Sequence, residues 1–159
     1  MIKYAFYNFE FGILKIGYTE TAVISIRTSG KIDAENKHSQ LSDTAYEQIC
    51  EYMKGERKCF DFPYELRGTE FQKSVWNELC RIPYAETRTY RQMAESVGNP
   101  KASRAAGAAN GQNPLMIVVP CHRVIGTDGK LTGYAGGLEL KKALLDLEQG
   151  RMTNVRSAE

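Results

Sequence analysis

The chain of 159 residues is long enough for one ordinary domain or two small ones, and 42% hydrophobic residues are enough to build a core. No apolar run approaches the roughly 18 residues of a membrane-spanning helix, and no secretion signal follows Met1. These features predict a cytoplasmic protein, or a nuclear one in a eukaryote, without a membrane partner. The formal net charge is +2, but residues 1–65 carry 8 basic and 10 acidic side chains, against 13 and 9 in residues 66–159. The second part is therefore the candidate to bind the phosphates of a nucleic acid, although an excess of this size is also typical of an ordinary solvated surface.

The cysteines and histidines argue against a metal site. Histidines occur only at positions 38 and 122, and the four cysteines (Cys50, Cys59, Cys80 and Cys121) include no Cys-x-x-Cys pair. Zinc-ligand spacing is therefore absent, and a chain of this length without a secretion signal is expected to hold free thiols rather than disulfides. We predict no metal and no cofactor.

The N-terminal part predicts a small antiparallel sheet with one helix packed on it. Aromatic residues alternate from Tyr4 to Phe11, and a β-branched run covers residues 22–26. A helical pattern then begins at Ser42 or Asp43 as N-cap and ends at Gly55. Residues 56–68 show no sustained period, so we predict two domains, 1–65 and 66–159.

The second part begins with three predicted helices. The first has a capping box of Thr69 and Gln72 and ends before Pro83. The second is capped by Thr87 or Thr89 and ends at the Gly-Asn-Pro sequence of residues 98–100, and the third covers residues 101–110 with almost no bulky side chain. A basic helix of small residues after a short turn is the outline of a helix-turn-helix. The same pattern also fits a helix packed tightly in a core.

Cys121 and His122 are the one place where a thiol and an imidazole adjoin. The apolar run from Leu115 to Val119 predicts a buried strand that Pro120 ends. The thiolate is the nucleophilic form of cysteine, and a histidine can raise its population. Neighbouring side chains do not automatically face each other, so either the chain bends after Pro120 or a water bridges the two groups. A histidine in this role also needs a carboxylate on its other ring nitrogen to fix its tautomer. The nearest carboxylate in sequence, Asp128, lies in a predicted turn at residues 126–129, so the partner must come from a more distant part of the chain.

A glycine-rich segment and a last helix follow. Tyr134 stands among glycines at positions 133, 136 and 137, which suits either a loop that closes over a flat ligand or a flexible connection. Leu140, Leu144 and Leu147 then form one face of a helix that ends at Glu148.

The sequence from Gly68 to Glu148 resembles the O6-alkylguanine-DNA alkyltransferases, also called methylated-DNA–protein-cysteine methyltransferases. Pro120-Cys121-His122-Arg123-Val124 matches their active-site signature. Further matching segments occur in the same order: Phe71-Gln72, Val75-Trp76, Ile82-Pro83-Tyr84, Thr89-Tyr90, Gly98-Asn99-Pro100, Arg104-Ala105, Asn113-Pro114 and Tyr134-Ala135-Gly136-Gly137-Leu138. The first 65 residues resemble the family in length and in strand and helix pattern.

The resemblance implies a catalytic role for four residues. Cys121 would be the alkyl acceptor, His122 would reach the thiol through a water, and Glu148 would hold the histidine. Asn113 would tie the turn before the active site to the helix-turn-helix. The implied reaction is DNA repair by direct, irreversible transfer of a methyl or small alkyl group from O6 of guanine, less well from O4 of thymine, in one turnover with base flipping.

The resemblance also implies residues that contact DNA. Tyr90 would donate to the guanine ring as negative charge develops, and Arg104 would enter the duplex where the base has left. The other expected contacts to the DNA or the base are Arg91, Asn99, Ala102, Tyr134 and Ala135. Ala135 departs from some relatives, which have a serine that can bond O6, so only backbone N–H groups remain there.

The implied fold class is α/β plus α, with a ribonuclease-H-like α/β domain followed by a winged-helix-like helix-turn-helix domain that carries the active site. The implied partner is double-stranded DNA containing O6-alkylguanine, bound by a monomer. Three other functions compete: an alkyltransferase-like lesion sensor, a cysteine hydrolase and a transcription regulator. The sensors lack the acceptor cysteine, hydrolase pairs come from distant segments, and a regulator has no use for the sequence at 120–123. Alkylation of a close-packed Cys121 site is expected to lower the melting temperature.

Overall fold

A computed structural model describes residues 1–131 and 133–150 and has an α+β fold. The strands are β1 (Lys3–Phe9), β2 (Gly12–Tyr18), β3 (Val23–Ser29), β4 (Arg88–Thr89) and β5 (Val124–Ile125). The helices are α1 (Gln40–Met53), α2 (Glu70–Leu79), α3 (Tyr90–Ser96), α4 (Ser103–Gly111) and α5 (Leu138–Glu148), with a short 3₁₀ helix at Cys121–Arg123. In the described ranges, no helix is long and apolar enough to cross a membrane.

The chain divides into two compact units that are not continuous in sequence. The first unit contains residues 1–67 and 114–118, and the second contains residues 68–113 and the described residues of the range 119–150. The predicted second domain, 66–159, had included residues 114–118. These five residues belong instead to the first unit because Ile26 donates its N–H to the carbonyl of Pro114 (2.8 Å) and accepts one from Met116 (3.2 Å).

In the first unit, the predicted antiparallel sheet with one helix is confirmed. The strands lie in the order β1-β2-β3, and β1 pairs with β2 from Lys3 opposite Tyr18 to Phe9 opposite Gly12. The fully buried side chains of this sheet include Leu14, Ile16 and Ile26. Helix α1 contributes buried Ile49 and Tyr52 to the core of the same unit.

The start of α1 differs from the prediction. Ser39, rather than Ser42 or Asp43, is the N-cap, and its side chain accepts from the backbone N–H of Ser42 at 3.1 Å. Ser42 completes the capping box by accepting from the N–H of Ser39 at 2.8 Å. A serine at the third helical position can act in a capping box like the more usual glutamate or glutamine, so the sequence signal lay three residues upstream of the predicted cap.

The predicted buried strand from Leu115 to Val119 is wrong. Leu115 forms a single bridge to Ile26, and the chain then turns at Ile117, which has a φ of 75°. Left-handed backbone is unusual for a β-branched residue, so the apolar run gave no sign of the turn. Leu115, Met116 and Ile117 are nevertheless buried, as an apolar run requires.

The second unit is built around Trp76 of α2. The predicted capping box of Thr69 and Gln72 is present and starts the helix. Trp76 is buried, and its indole N–H donates to the carbonyl of Ala109 in α4 at 2.8 Å. A Cβ at Gly68 would lie 2.5 Å from the Trp76 ring, so only glycine fits there. The small residues of α4 thus allow α2 to approach its backbone.

Helices α3 and α4 follow each other with a short turn between them. Thr89 caps α3 by accepting from the N–H of Gln92, which decides between the two predicted caps. The turn passes through Gly98, whose φ of 80° suits glycine, and α4 begins at Ser103. The ring of Tyr90 faces Gly107, where a Cβ would be 3.6 Å away. Small residues therefore serve the packing of both α2 and α3 against α4.

Candidate functional site

Cys121 opens the 3₁₀ helix that follows Pro120, and it is only 5% exposed. Its N–H donates to the carbonyl of Val119 at 2.8 Å, which bends the chain sharply at Pro120. The amide of Asn113 donates both to Sγ of Cys121 (3.1 Å) and to the carbonyl of Val119 (2.8 Å). Asn113 therefore fixes the sulfur and the turn before it with one side chain.

His122 is fully buried and points its Nε2 at Oε2 of Glu148, 2.5 Å away. Because a carboxylate accepts the proton of Nε2, Nδ1 is the unprotonated ring nitrogen. Within the part of the chain that the structure describes, Nδ1 has no hydrogen-bond partner. Burial and the nearby cations Arg123 and Lys141 hold the pKa of His122 well below its usual value. The imidazole is therefore neutral and can accept a proton.

Glu148 also binds Arg123, the residue after His122. The guanidinium donates to both carboxylate oxygens, at 2.7 and 3.1 Å, and to the carbonyl of Ile82 at 2.7 Å. Burial raises the pKa of Glu148 to about 8, whereas the guanidinium in this bidentate pair favours the carboxylate. Burial likewise lowers the pKa of Arg123 to about 10. Glu148 is thus held between His122 and Arg123 and fixes the orientation of the imidazole.

Lys141 is a further buried charge near the cysteine. Its side chain is inaccessible to solvent, and its ammonium donates to the carbonyl of Val124 at 2.7 Å. Burial lowers the pKa of Lys141, while its charge favours the thiolate of Cys121. The sequence analysis had not named Lys141, and it had named Arg123 only as part of the active-site signature, without a role of its own. The available signal was the spacing of Lys141, Leu144 and Glu148, which places a lysine and a glutamate on the apolar face of α5.

The resting form of Cys121 is the thiol. Burial raises its pKa to about 11, against the opposing effects of the Asn113 hydrogen bond and the Lys141 charge. Nucleophilic attack needs the thiolate, so a proton must leave the sulfur when a substrate arrives. The neutral imidazole of His122 is the base nearest in sequence. The site can therefore supply a sulfur nucleophile and an acceptor for its proton.

The predicted DNA-contact residues do not all lie at the cysteine. Burial raises the pKa of Tyr134 well above its usual value, and a thiolate at Cys121 would raise it further. Tyr90 is half-buried at the start of α3. The remaining predicted contacts are exposed or half-buried on the surface of the second unit: Arg91, Asn99, Ala102, Arg104 and Ala135. Arg91 forms an ion pair with Glu95 one turn further along α3, with 3.6 Å between Nε and Oε1.

Replacement of Glu148 by glutamine should destabilise the protein by about 3 kcal/mol, because it leaves the buried guanidinium of Arg123 without its counter-charge. The melting temperature should fall by roughly 6–12 °C in differential scanning calorimetry. Glu70→Gln is the matched control, since its carboxylate is 95% exposed beside Lys73 and should leave the melting temperature unchanged. Equal melting temperatures for Glu148→Gln and the wild type would contradict a structural role for this pair.

The fold and the site define a class of protein with a buried cysteine next to a histidine–glutamate pair on a helical unit. A sequence model described as "6-O-methylguanine DNA methyltransferase, DNA binding domain" matches residues 70–150. The methylated-DNA–protein-cysteine methyltransferase of Methanosarcina acetivorans is 62% identical over 116 residues, 73% of this chain and 74% of the relative. The protein of the same name from Mycolicibacterium paratuberculosis is 45% identical over 94% of this chain and 93% of its own.

Solved structures agree with these sequence matches. The crystal structure of Mycobacterium tuberculosis O6-methylguanine methyltransferase superposes with a TM-score of 0.86 at 39% identity and covers 100% of both chains. A second structure from this organism, in complex with DNA, has a TM-score of 0.85 at 41% identity and covers 95% of each chain. The chain belongs to the O6-alkylguanine-DNA alkyltransferase family.

Proposed function

We propose that this protein is a methylated-DNA–protein-cysteine methyltransferase that repairs DNA by moving a methyl or small alkyl group from O6 of guanine, and less well from O4 of thymine, to Sγ of Cys121. The observation that carries the proposal is the arrangement around the sulfur. Asn113 donates to Sγ, and His122 is neutral and held by Glu148. Relatives that cover most of this chain carry the name of this activity.

The proposed reaction is an in-line substitution at the alkyl carbon. The sulfur forms the S–C bond while the C–O6 bond breaks, and the bonding electron pair passes to the guanine. The proton of the thiol passes through a water to Nδ1 of His122, and Glu148 stabilises the imidazolium that results. Tyr90 would donate to the guanine ring as its negative charge develops. The leaving base becomes neutral guanine by taking up one proton from water, and the imidazolium of His122 returns its proton to water, so the net reaction moves the thiol proton to the base.

The product explains why one molecule would act once. A thioether at Cys121 has no leaving group that the site can activate, and a carbon–sulfur bond is not cleaved by hydrolysis under these conditions. The protein would therefore be consumed in the reaction, with a stoichiometry of one alkyl group per chain. The transferred alkyl group would add bulk to a site that is already closely packed, since Cys121 is only 5% exposed.

DNA binding is assigned to α3 and α4 of the second unit. We interpret them as a winged-helix-like helix-turn-helix that enters the minor groove, with Arg104 exposed at the start of α4. O6 lies inside the base stack, so the guanine must be flipped out to reach a buried sulfur. Arg91, Asn99 and Ala102 would contact the DNA, while Tyr134 and the backbone at Ala135 would close over the base. Double-stranded DNA would be the partner of a monomer.

The first unit would then correspond to the ribonuclease-H-like α/β domain of the family. Its three-stranded antiparallel sheet with one helix supports this interpretation. The proposed substrate also suggests where the protein acts. In a prokaryotic cell, such as those of the archaeal and bacterial relatives, repair of chromosomal DNA takes place in the cytoplasm.

Intact-protein mass spectrometry tests the proposed function directly. We expect the protein to gain the mass of one methylene after incubation with a duplex that holds a single O6-methylguanine, and to saturate at one per chain. Peptide mapping should locate the gain on Cys121. The same duplex with unmodified guanine is the control and should give no change. Retention of the lesion DNA without any mass gain would contradict transfer and would favour a lesion sensor.

A further inference from the structure

The loop that joins α2 to β4 has no role in the reaction as proposed so far. Three of its residues contact the buried ion pair of Arg123 with Glu148. The carbonyl of Ile82 accepts from Nη1 of Arg123 at 2.7 Å, and the centroid of the Tyr84 ring lies 5.6 Å from the guanidinium carbon. The backbone N–H of Ala85 donates to Oε1 of Glu148 at 3.4 Å. One loop therefore contacts both members of the pair that holds His122.

Ala85 makes its contact from an unusual backbone conformation. Its φ is 73°, in the left-handed region that suits glycine and is unfavourable for alanine. The N–H of Glu86 donates to the carbonyl of Pro83 at 3.0 Å and closes the turn. With the rest of the loop in place, an ordinary right-handed conformation at Ala85 would turn its N–H away from Glu148. Strained residues of this kind cluster at functional sites, and here the strain accompanies a hydrogen bond to a carboxylate of the site.

The carboxylate of Glu148 is thereby held from two separate segments of the chain. From the 3₁₀ helix, Nε2 of His122 and Nη2 of Arg123 donate to Oε2, and Nε of Arg123 donates to Oε1. From the loop, Ala85 donates to Oε1. A rotation of the carboxylate about its Cγ–Cδ bond would break these hydrogen bonds. The N–H of Ala85 therefore helps to keep Oε2 directed at the imidazole.

The N–H of Ala85 also differs from the side-chain donors because it does not titrate. Burial raises the pKa of Glu148 to about 8, and the hydrogen bond from Ala85 opposes this shift. Loss of that hydrogen bond would let Glu148 take up a proton at a higher pH. The titratable groups that bond to the ion pair, or act electrostatically on Arg123 or on His122, are His122 itself, Lys141, Cys80 and Tyr84.

We propose that Ala85 is a positioning residue for alkyl transfer: its N–H holds Oε1 of Glu148, so that Oε2 stays directed at His122 while the imidazole takes the proton of the thiol. This inference rests on the proposed function. The path of the proton is unchanged, from Sγ of Cys121 through a water to Nδ1 of His122. Ala85 acts on this step through Glu148, by keeping the counter-charge of the imidazolium in place.

An amide-to-ester exchange at Ala85 tests this role, because it replaces the N–H by an oxygen and leaves every side chain unchanged. The readout is the single-turnover rate of methyl transfer from O6-methylguanine DNA as a function of pH. Without its donor, Glu148 takes up a proton at a higher pH. The acid limb of the rate profile should therefore move up by about one pH unit, which is about a tenfold loss of rate on that limb. The fluorescence of Trp76, the only tryptophan, reports whether each variant is folded.

The same exchange at Gly129 is the matched control. Gly129 also has a left-handed backbone, with a φ of 80°, and its N–H donates within a turn to the carbonyl of Gly126 at 2.9 Å. Its acid limb should coincide with that of the wild type. Two side-chain variants give an independent comparison. Ala85→Val makes the left-handed conformation much less favourable and should move the limb as the ester does, whereas Ala85→Gly keeps the N–H in place and should not move it.

The possible outcomes separate the proposal from its alternatives. A folded ester variant at Ala85 with the acid limb of the wild type would overturn the proposal, and so would an equal shift in the Gly129 control. A loss of rate by the same factor at every pH would also contradict it, because that is the effect of a loosened loop. A wild type that transfers no methyl group at any pH would contradict the proposed function itself.

Discussion

Replacement of Cys121 by serine should abolish alkyl transfer while leaving the fold and the binding of DNA intact. The hydroxyl is close in size to the thiol and can still accept from Asn113, so the buried site keeps its packing. A serine hydroxyl ionises far less readily than a thiol, and the oxygen is the weaker nucleophile toward an alkyl carbon. Loss of a nucleophile costs on the order of 10⁶ in rate in well-studied enzymes, and we expect a loss beyond about a thousandfold here.

The measurement is the single-turnover transfer of a radiolabelled methyl group from O6-methylguanine DNA to protein, with an electrophoretic binding assay on the same duplex. Cys59→Ser is the matched control, since this cysteine is exposed and lies in the first unit. It should transfer at the wild-type rate. Transfer by Cys121→Ser at a rate near that of the wild type would show that another residue is the acceptor.

Replacement of His122 by glutamine should slow transfer by about 10² to 10⁴, the usual contribution of a general base. The glutamine amide can still donate to Glu148, so the partner of Arg123 remains in place. The glutamine has no basic nitrogen to take the proton of a thiol whose pKa burial raises to about 11. The effect should therefore appear in the rate of transfer and not in the affinity for DNA.

His38→Gln provides the control because His38 is the other histidine of the chain. It lies in the first unit, where its Nε2 contacts the carbonyl of Phe6 at 2.9 Å. Its replacement should leave the transfer rate unchanged. If His122→Gln reacted as fast as His38→Gln, the proton of Cys121 would have to leave by another route.

Local chemistry made much of the fold predictable. The capping box of Thr69 and Gln72 predicted the start of α2, because a threonine and a glutamine three residues later satisfy free N–H groups at a helix start. For α3 the sequence offered two possible caps, and the capping box of Thr89 with Gln92 was found in the structure. The sequence also predicted that Cys121 directly follows the end of an apolar run at Pro120 and that Glu148 ends an amphipathic helix. The juxtaposition of these two residues was implied only by the family resemblance, since nothing in residue spacing brings together positions 26 apart.

Other features depend on contacts that a sequence pattern does not contain. The bidentate pair of Arg123 with Glu148 and the buried ammonium of Lys141 are examples. Charged side chains are normally exposed, so the sequence alone predicts these residues at the surface. The turn at Ile117 is another, since the left-handed region is unfavourable for isoleucine and persists only where surrounding packing requires it.

Residues 114–118 belong to the first unit although the residues on either side of them belong to the second, and this affects how substitutions in β3 should be interpreted. Asn113, which holds the reacting sulfur, directly precedes this segment, and Val119, to which it bonds, directly follows it. The segment is paired to Ile26 of β3. A substitution in β3 can therefore disturb the sulfur through the covalent chain alone. Loss of repair in such a variant would not be evidence that the first unit touches DNA.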